Sequence, residues 1–82
     1  MDYTLTEHAR DASEKCKFQV AWLESAYYTP EANEPDPIDP ELEQRLARIP
    51  ERDDRVLRVV VNVTVEPNRI VTVFFEHRRV LS

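Results

Sequence analysis

Two runs of β-branched and aromatic residues dominate the pattern, Arg55 to Val65 and Arg69 to Phe75, with Glu66-Pro67-Asn68 between them. Such runs fit a pleated, half-buried surface, and proline and asparagine fit a bend, so the spacing predicts an antiparallel hairpin. With Pro67 and Asn68 as a two-residue loop, Glu66 faces Arg69, and directly opposed residues point the same way. One face then collects Leu57, Val59, Val61, Val63 and Val65 with Ile70, Thr72 and Phe74, and this is the expected core. The other collects Arg58, Val60, Asn62 and Thr64 with Val71, Val73, Phe75 and His77, placing Arg58 directly across from His77. That second face is too apolar to be left in water, so a cover is expected: Val80-Leu81, the proline-rich segment, a second copy of the chain or a partner protein.

Upstream the period changes. Thr4-Leu5-Thr6-Glu7 has the form of a capping box and predicts a helix start, after which Leu5, Ala9, Ala12 and Cys16 recur as a narrow stripe of mostly small side chains. Phe18 to Tyr27 reads as a second helix, with Val20, Leu23 and Tyr27 on one face and Trp22 and Ala26 on another, stopped by Thr29-Pro30. Pro30 to Pro40 holds four prolines, which leaves an extended, ordered loop or edge strand. Asp39-Pro40-Glu41 has the order of a single helical turn before Arg45, and Leu46 to Ile49 alternates as a short strand ending at Pro50. The chain contains no glycine, so turns that need positive φ must use Asn or Asp, with Asn68 first in line and Asn33 second. Together these elements predict an α+β domain spanning residues 1–82, with two N-terminal helices packed on a small antiparallel sheet of three to four strands.

Composition narrows the chemistry. At 82 residues the chain supports one core. Its single cysteine, Cys16, allows no internal disulfide and suits a small core thiol in a reducing cytosol. The first fifteen residues lack the apolar run of a signal peptide, and no apolar run approaches the roughly 20 residues of a membrane span, so a soluble cytoplasmic protein without membrane contact is expected. Net charge is −5, but residues 1–44 carry 11 acids and three bases, whereas residues 45–82 carry five acids and eight arginines. An acidic whole argues against sequence-independent nucleic-acid binding, although an arginine-bearing sheet can present a local positive surface. The absence of glycine excludes a phosphate-cradling loop and a dinucleotide fingerprint. His8, His77 and Cys16 lack zinc-ligand spacing, and the proline-broken acidic segment does not match a calcium loop, so no metal or cofactor is expected. His8, followed by Ala9-Arg10, is either an acid–base group near neutral pH or a helix-edge histidine bonded to a carbonyl or carboxylate.

The order Thr6-Glu7-His8-Ala9-Arg10, Tyr28-Thr29-Pro30, Val56-Leu57-Arg58-Val59-Val60-Val61-Asn62 and Ile70-Val71-Thr72-Val73-Phe74-Phe75 resembles the bacterial domain of unknown function 4258 family. Glu34-Pro35-Asp36 and Ala47-Arg48-Ile49-Pro50-Glu51 extend the likeness to nearly the whole chain. That family is similar to the RelE and BrnT toxin folds, in which two helices pack on a small antiparallel sheet whose open face bears the working residues. The resemblance implies a metal-independent endoribonuclease, in which basic side chains neutralise the phosphate and a polar residue moves the 2′-OH proton. Arg58, His77 and Arg78 are the site residues it implies, with His8 and Arg48 behind them. Toxins of this kind tend to be basic, so a pI near 4.9 disfavours RNA as the partner. The competing expectation is a non-catalytic protein-interaction or homodimeric structural domain, whose partner is a second copy or an antitoxin-like protein.

Overall fold

In the computed structural model, which describes residues 3–16 and 19–76, the chain runs through β1 (Tyr3–Leu5), α1 (Glu7–Cys16), α2 (Val20–Tyr28), β2 (Ala32–Pro35), β3 (Leu42–Ile49), β4 (Arg55–Asn62) and β5 (Asn68–Phe75). The strands form one five-stranded sheet in the order β1-β5-β4-β3-β2. The α+β class and the two helices stand as expected. The sheet is larger than expected and mixed, because β1 lies parallel to β5 while the other pairs are antiparallel.

The extra strand arises because the helix cap lies two residues beyond the expected Thr4. The cap is Thr6, whose Oγ1 accepts the Ala9 N–H at 3.0 Å and donates to the Val71 carbonyl at 2.8 Å. Thr4 and Leu5 are thereby left extended beside β5, and Ala9 is fully buried against the sheet. In α2 the buried stripe is Trp22, Leu23, Ala26 and Tyr27, whereas Val20 is 66% exposed.

The proline-rich crossing does become an edge strand, β2, which runs antiparallel to β3 from Ala32↔Leu46 to Pro35↔Glu43. Proline is tolerated there because an edge strand has one side without ladder bonds. β3 is twice as long as the alternation at Leu46 to Ile49 indicated, and it replaces the expected helical turn. Asp39 Oδ1 accepts the Glu41 N–H at 2.9 Å and the Asp39 carbonyl accepts the Leu42 N–H at 3.1 Å, after which Leu42 enters the ladder opposite Asn62. A complete antiparallel partner in β4 outweighs the local preference of Pro40-Glu41-Leu42 for a helical turn.

The β4–β5 hairpin is present, with a different loop and register. Asn62 Oδ1 accepts both the Thr64 N–H at 2.9 Å and the Thr64 hydroxyl at 2.7 Å, and this side-chain turn ends β4 well before Pro67. Asn62 pairs with Arg69 and Val61 with Ile70. A bulge then makes the ladder pass over Val71, so that Val60 pairs with Thr72, Val59 with Val73, Arg58 with Phe74 and Leu57 with Phe75. One inserted residue reverses the faces beyond it. Leu57, Val59, Val61 and Ile70 lie in the core as expected, but Val73 and Phe75 join them, and Thr72 and Phe74 turn to the other side. Val63, expected in the core, sits in the loop and is exposed. The Thr6 hydroxyl bond to Val71 O holds the bulge in place from the neighbouring strand end.

Positive φ does fall on Asp rather than glycine, though at Asp53 (55°) and Asp54 (58°) in the β3–β4 turn, not at Asn68 or Asn33. Asn68 is instead a β5 residue whose Nδ2 donates to Tyr27 Oη at 3.1 Å.

The core cluster joins Ala9 of α1 and Trp22, Leu23, Ala26 and Tyr27 of α2 to Ala47, Ile49, Leu57, Val59, Val61, Ile70 and Val73 of the sheet. All the β3 and β4 members have one parity, so both helices cover the same face. No described helix is long and apolar enough to cross a membrane.

Candidate functional site

The face without helices is set by the ladder pairs. Leu46, Arg58 and Phe74 lie side by side across three strands, flanked by Gln44, Val60 and Thr72 in one row and by Arg48 and Val56 in the next. Leu46, Val56 and Val60 are buried on this side although they are not part of the helix-facing core. Arg58 therefore sits between apolar neighbours, with its side chain 14% exposed. Its Nη2 forms an ion pair with Glu76 Oε1, its guanidinium lies 5.9 Å from the Phe74 ring centroid, and its Nε is buried without an acceptor.

Two further acids border this face. Asp36 Oδ1 accepts from Gln44 Nε2 at 2.7 Å, and Asp36 Oδ2 accepts the backbone N–H groups of Asp39 at 2.8 Å and Ile38 at 3.0 Å. The Asp39 N–H, followed by Gln44 and Ile38, holds the Asp36 carboxyl below its ordinary range, and the charge of Arg58 adds to the effect. Glu31 continues the β2 edge with its side chain: Oε2 accepts the Arg48 backbone N–H at 2.7 Å, and Oε1 takes Arg48 Nε at 3.0 Å and Nη2 at 2.8 Å. The hydrogen bond from the Arg48 side chain, then that from its backbone, lowers the Glu31 pKa, and the Arg48 guanidinium is raised in return.

These shifts have a definite sign in stability. Both carboxyls titrate lower in the folded chain than their ordinary values of 4.5 for Glu31 and 3.8 for Asp36, so their contribution is fully present above those values and lost as pH falls through the folded ones. The urea midpoint of the wild type is expected to drop on acidification from about pH 6 to about pH 3, and that of a Glu31→Gln, Asp36→Asn double variant to drop less steeply. Parallel curves would show that neither carboxyl is held by its partners.

Of the residues expected to form the site, Arg58 and Arg48 share the helix-free face. His8 is exposed on α1, in the layer on the other side of the sheet, and is not brought to them. His77 and Arg78 lie outside the described residues. The expected opposition of Arg58 and His77 is corrected, because the bulge and the longer loop put Phe74 across from Arg58. Glu76, Asp36 and Gln44 were not anticipated. Once the bulge is known, Glu76 follows from its period-two spacing from Phe74. Arg52 and Arg55 were also missed: their guanidinium carbons lie 5.2 and 5.0 Å from the Phe75 ring centroid, on the helix side, and Arg52 lies 5.6 Å from Trp22. Nothing in a strand pattern signals such stacking across a turn. Among the described residues no three His, Cys, Asp or Glu side chains are grouped to hold a metal ion.

A chain with this mixed sheet, two helices on one face and the ion-paired Arg48 and Arg58 on the other is a small α+β domain. A family model described as a domain of unknown function (DUF4258) matches residues 5–75, and the chain belongs to that family. No curated protein and no solved structure gives a significant match.

Proposed function

We propose that this chain is a non-catalytic protein-binding domain. The observation that carries the reading is the commitment of the two described cations a nuclease would need: Arg58 is paired with Glu76 and Arg48 with Glu31, each within the chain. A phosphate would have to displace a carboxylate already in contact with each guanidinium, and a net charge of −5 opposes the approach of a polyanion. His8, a candidate acid–base group, stands behind the sheet rather than on this face.

A second reading, a toxin-like metal-independent endoribonuclease, has one specific support. Arg58 Nε is buried without an acceptor, so one arm of its planar fork is left unengaged, and a bidentate phosphate contact uses that arm. The sequence resemblance to RelE and BrnT folds adds to it, with His77 and Arg78 supplying the remaining groups. One experiment separates the two. Wild type and Arg58→Ala are induced in a bacterial host, and growth and total RNA integrity are followed. Both are expected to leave growth and RNA unchanged. Growth arrest with fragmented RNA in the wild type, relieved by Arg58→Ala, would instead establish the nuclease.

A further inference from the structure

Resting on the protein-binding reading above, we infer that the outer edge of β1 is a docking groove for one extended peptide segment of a partner protein, carrying an aliphatic side chain and a nearby carboxylate. The two edges of the sheet are unlike. β2 ends in Pro35 and presents Asn33 and Glu34, the proline-and-charge combination that blocks strand addition. β1 has neither, since its residues are Tyr3, Thr4 and Leu5. Its inner side is fixed by the Thr6 N–H bond to the Ile70 carbonyl at 3.0 Å. Period-two alternation then directs the N–H and C=O of Leu5 away from β5, where no described strand pairs with them. A partner segment can add main-chain bonds at that point, and three residues of β1 limit the ladder to a short stretch.

Beside this edge lies a groove of about 340 Å³ lined by Tyr3, Thr4, Leu5, Arg10 and Val20. Its size is at the lower end for a binding pocket, enough for one or two side chains rather than a cofactor. Val20 is 66% exposed at the rim, an aliphatic side chain left uncovered by a helix that buries Trp22, Leu23, Ala26 and Tyr27. Arg10 supplies the charge. Arg45, Arg48 and Arg58 are each paired with an acid, whereas the Arg10 guanidinium has no hydrogen-bonding or ionic partner among the described residues. An unpaired guanidinium against an apolar wall selects an apolar segment with a carboxylate in reach. A second copy is a poorer occupant: the three residues of its β1 carry no acid, and each copy has a net charge of −5.

The test uses a phage-displayed library of random octapeptides panned against the full chain, against Arg10→Glu and against Val20→Asp, with far-UV circular dichroism confirming that each variant is folded. The wild type is expected to enrich peptides pairing Val, Ile or Leu with Asp or Glu, the acid rising about tenfold over its library frequency, the discrimination expected of one charge-assisted hydrogen bond. Arg10→Glu should replace that acid by Lys or Arg, and Val20→Asp should remove the aliphatic preference. No enriched pattern, or one that Arg10→Glu leaves unchanged, overturns the inference. So does a wild-type dimer in light scattering that Val20→Asp dissociates, which would assign the edge to a second copy. The RNA experiment fails independently: intact RNA with no peptide selection removes only the groove, whereas charge-selective peptides together with RNA cleavage remove only the non-catalytic reading.

Discussion

Leu57→Ala is expected to lower the thermal midpoint by about 20 °C. Leu57 is fully buried on β4, the middle strand of five, where it faces the helices between Ala47 and Phe75. Deleting three buried heavy atoms removes their transfer free energy and leaves a cavity that a packed core only partly closes, together about 3.5 kcal/mol. For a chain of this length one kcal/mol corresponds to roughly 4–8 °C, and the whole folding free energy amounts to roughly 0.05–0.15 kcal/mol per residue. One substitution therefore removes a large share of the stability. Val63→Ala is the control, because Val63 is 41% exposed in the loop after β4 and its loss should fall within about 0.5 kcal/mol. Circular dichroism melts of both variants at one concentration check the pair. Equal midpoints would mean that the odd-numbered residues of β4 do not face the core.

That parity was legible because β4 is a long run with one partner on each side. Leu57, Val59 and Val61 need only a period of two and a helix-covered face. β5 was legible as a strand but not in its second half, since nothing in Ile70-Val71-Thr72-Val73 marks which residue the ladder will omit. The bulge is fixed from outside, by the Thr6 hydroxyl on Val71 O, a contact between residues 65 positions apart. β1 was hidden for a related reason: three residues are too few for any period, and a threonine three residues before a glutamate looks like a cap whether or not it is one. At the start of β3, Asp39 to Glu43 has the pattern of a single helical turn because Asp, Pro and Glu have the same local chemistry before a helix and in a tight turn before a strand. Only the eight-residue register with β4 decides between them.

In the candidate site one member of each ion pair was legible. Sequence reasoning looks for basic residues when phosphate is in question, and it found Arg58 and Arg48. The acids that neutralise them come from elsewhere in the fold. Glu31 lies 17 residues before Arg48 and reaches it because β2 folds back along β3. Glu76 reaches Arg58 because the omitted residue in β5 shortens the distance to the strand end by one place, putting a carboxylate near where a histidine was expected. Net charge gave a hint of this, but a total of −5 does not say which acids lie against which arginines.

Glu76→Ala is expected to destabilise the fold by about 2 kcal/mol, more than Arg58→Met does. The asymmetry follows from position: Glu76 lies just past the end of β5, where its carboxylate can turn to water, whereas Arg58 is held inside the middle strand. Removing Glu76 leaves a guanidinium 14% exposed, held between Leu46 and Phe74 with neither Nε nor Nη2 satisfied. Stranding a fully buried charge costs about 3–5 kcal/mol, and the partial solvent access of this pair reduces that figure. Arg58→Met instead keeps an unbranched stem of similar reach among apolar neighbours and removes the charge that needed a partner, so its cost should stay within about 1 kcal/mol. The Arg58→Met, Glu76→Ala double variant should then recover most of what Glu76→Ala loses. Urea unfolding of the series gives the coupling, and costs that are small and equal for both single variants would mark the pair as a screened surface contact. The same substitution bears on function, because Glu76→Ala also releases the guanidinium toward any phosphate that could reach it. A nuclease held in check by this pair would cleave RNA faster in Glu76→Ala, despite the lower stability. In a protein-binding domain the variant should lose only stability, with RNA intact and the peptide preference at the β1 edge unchanged.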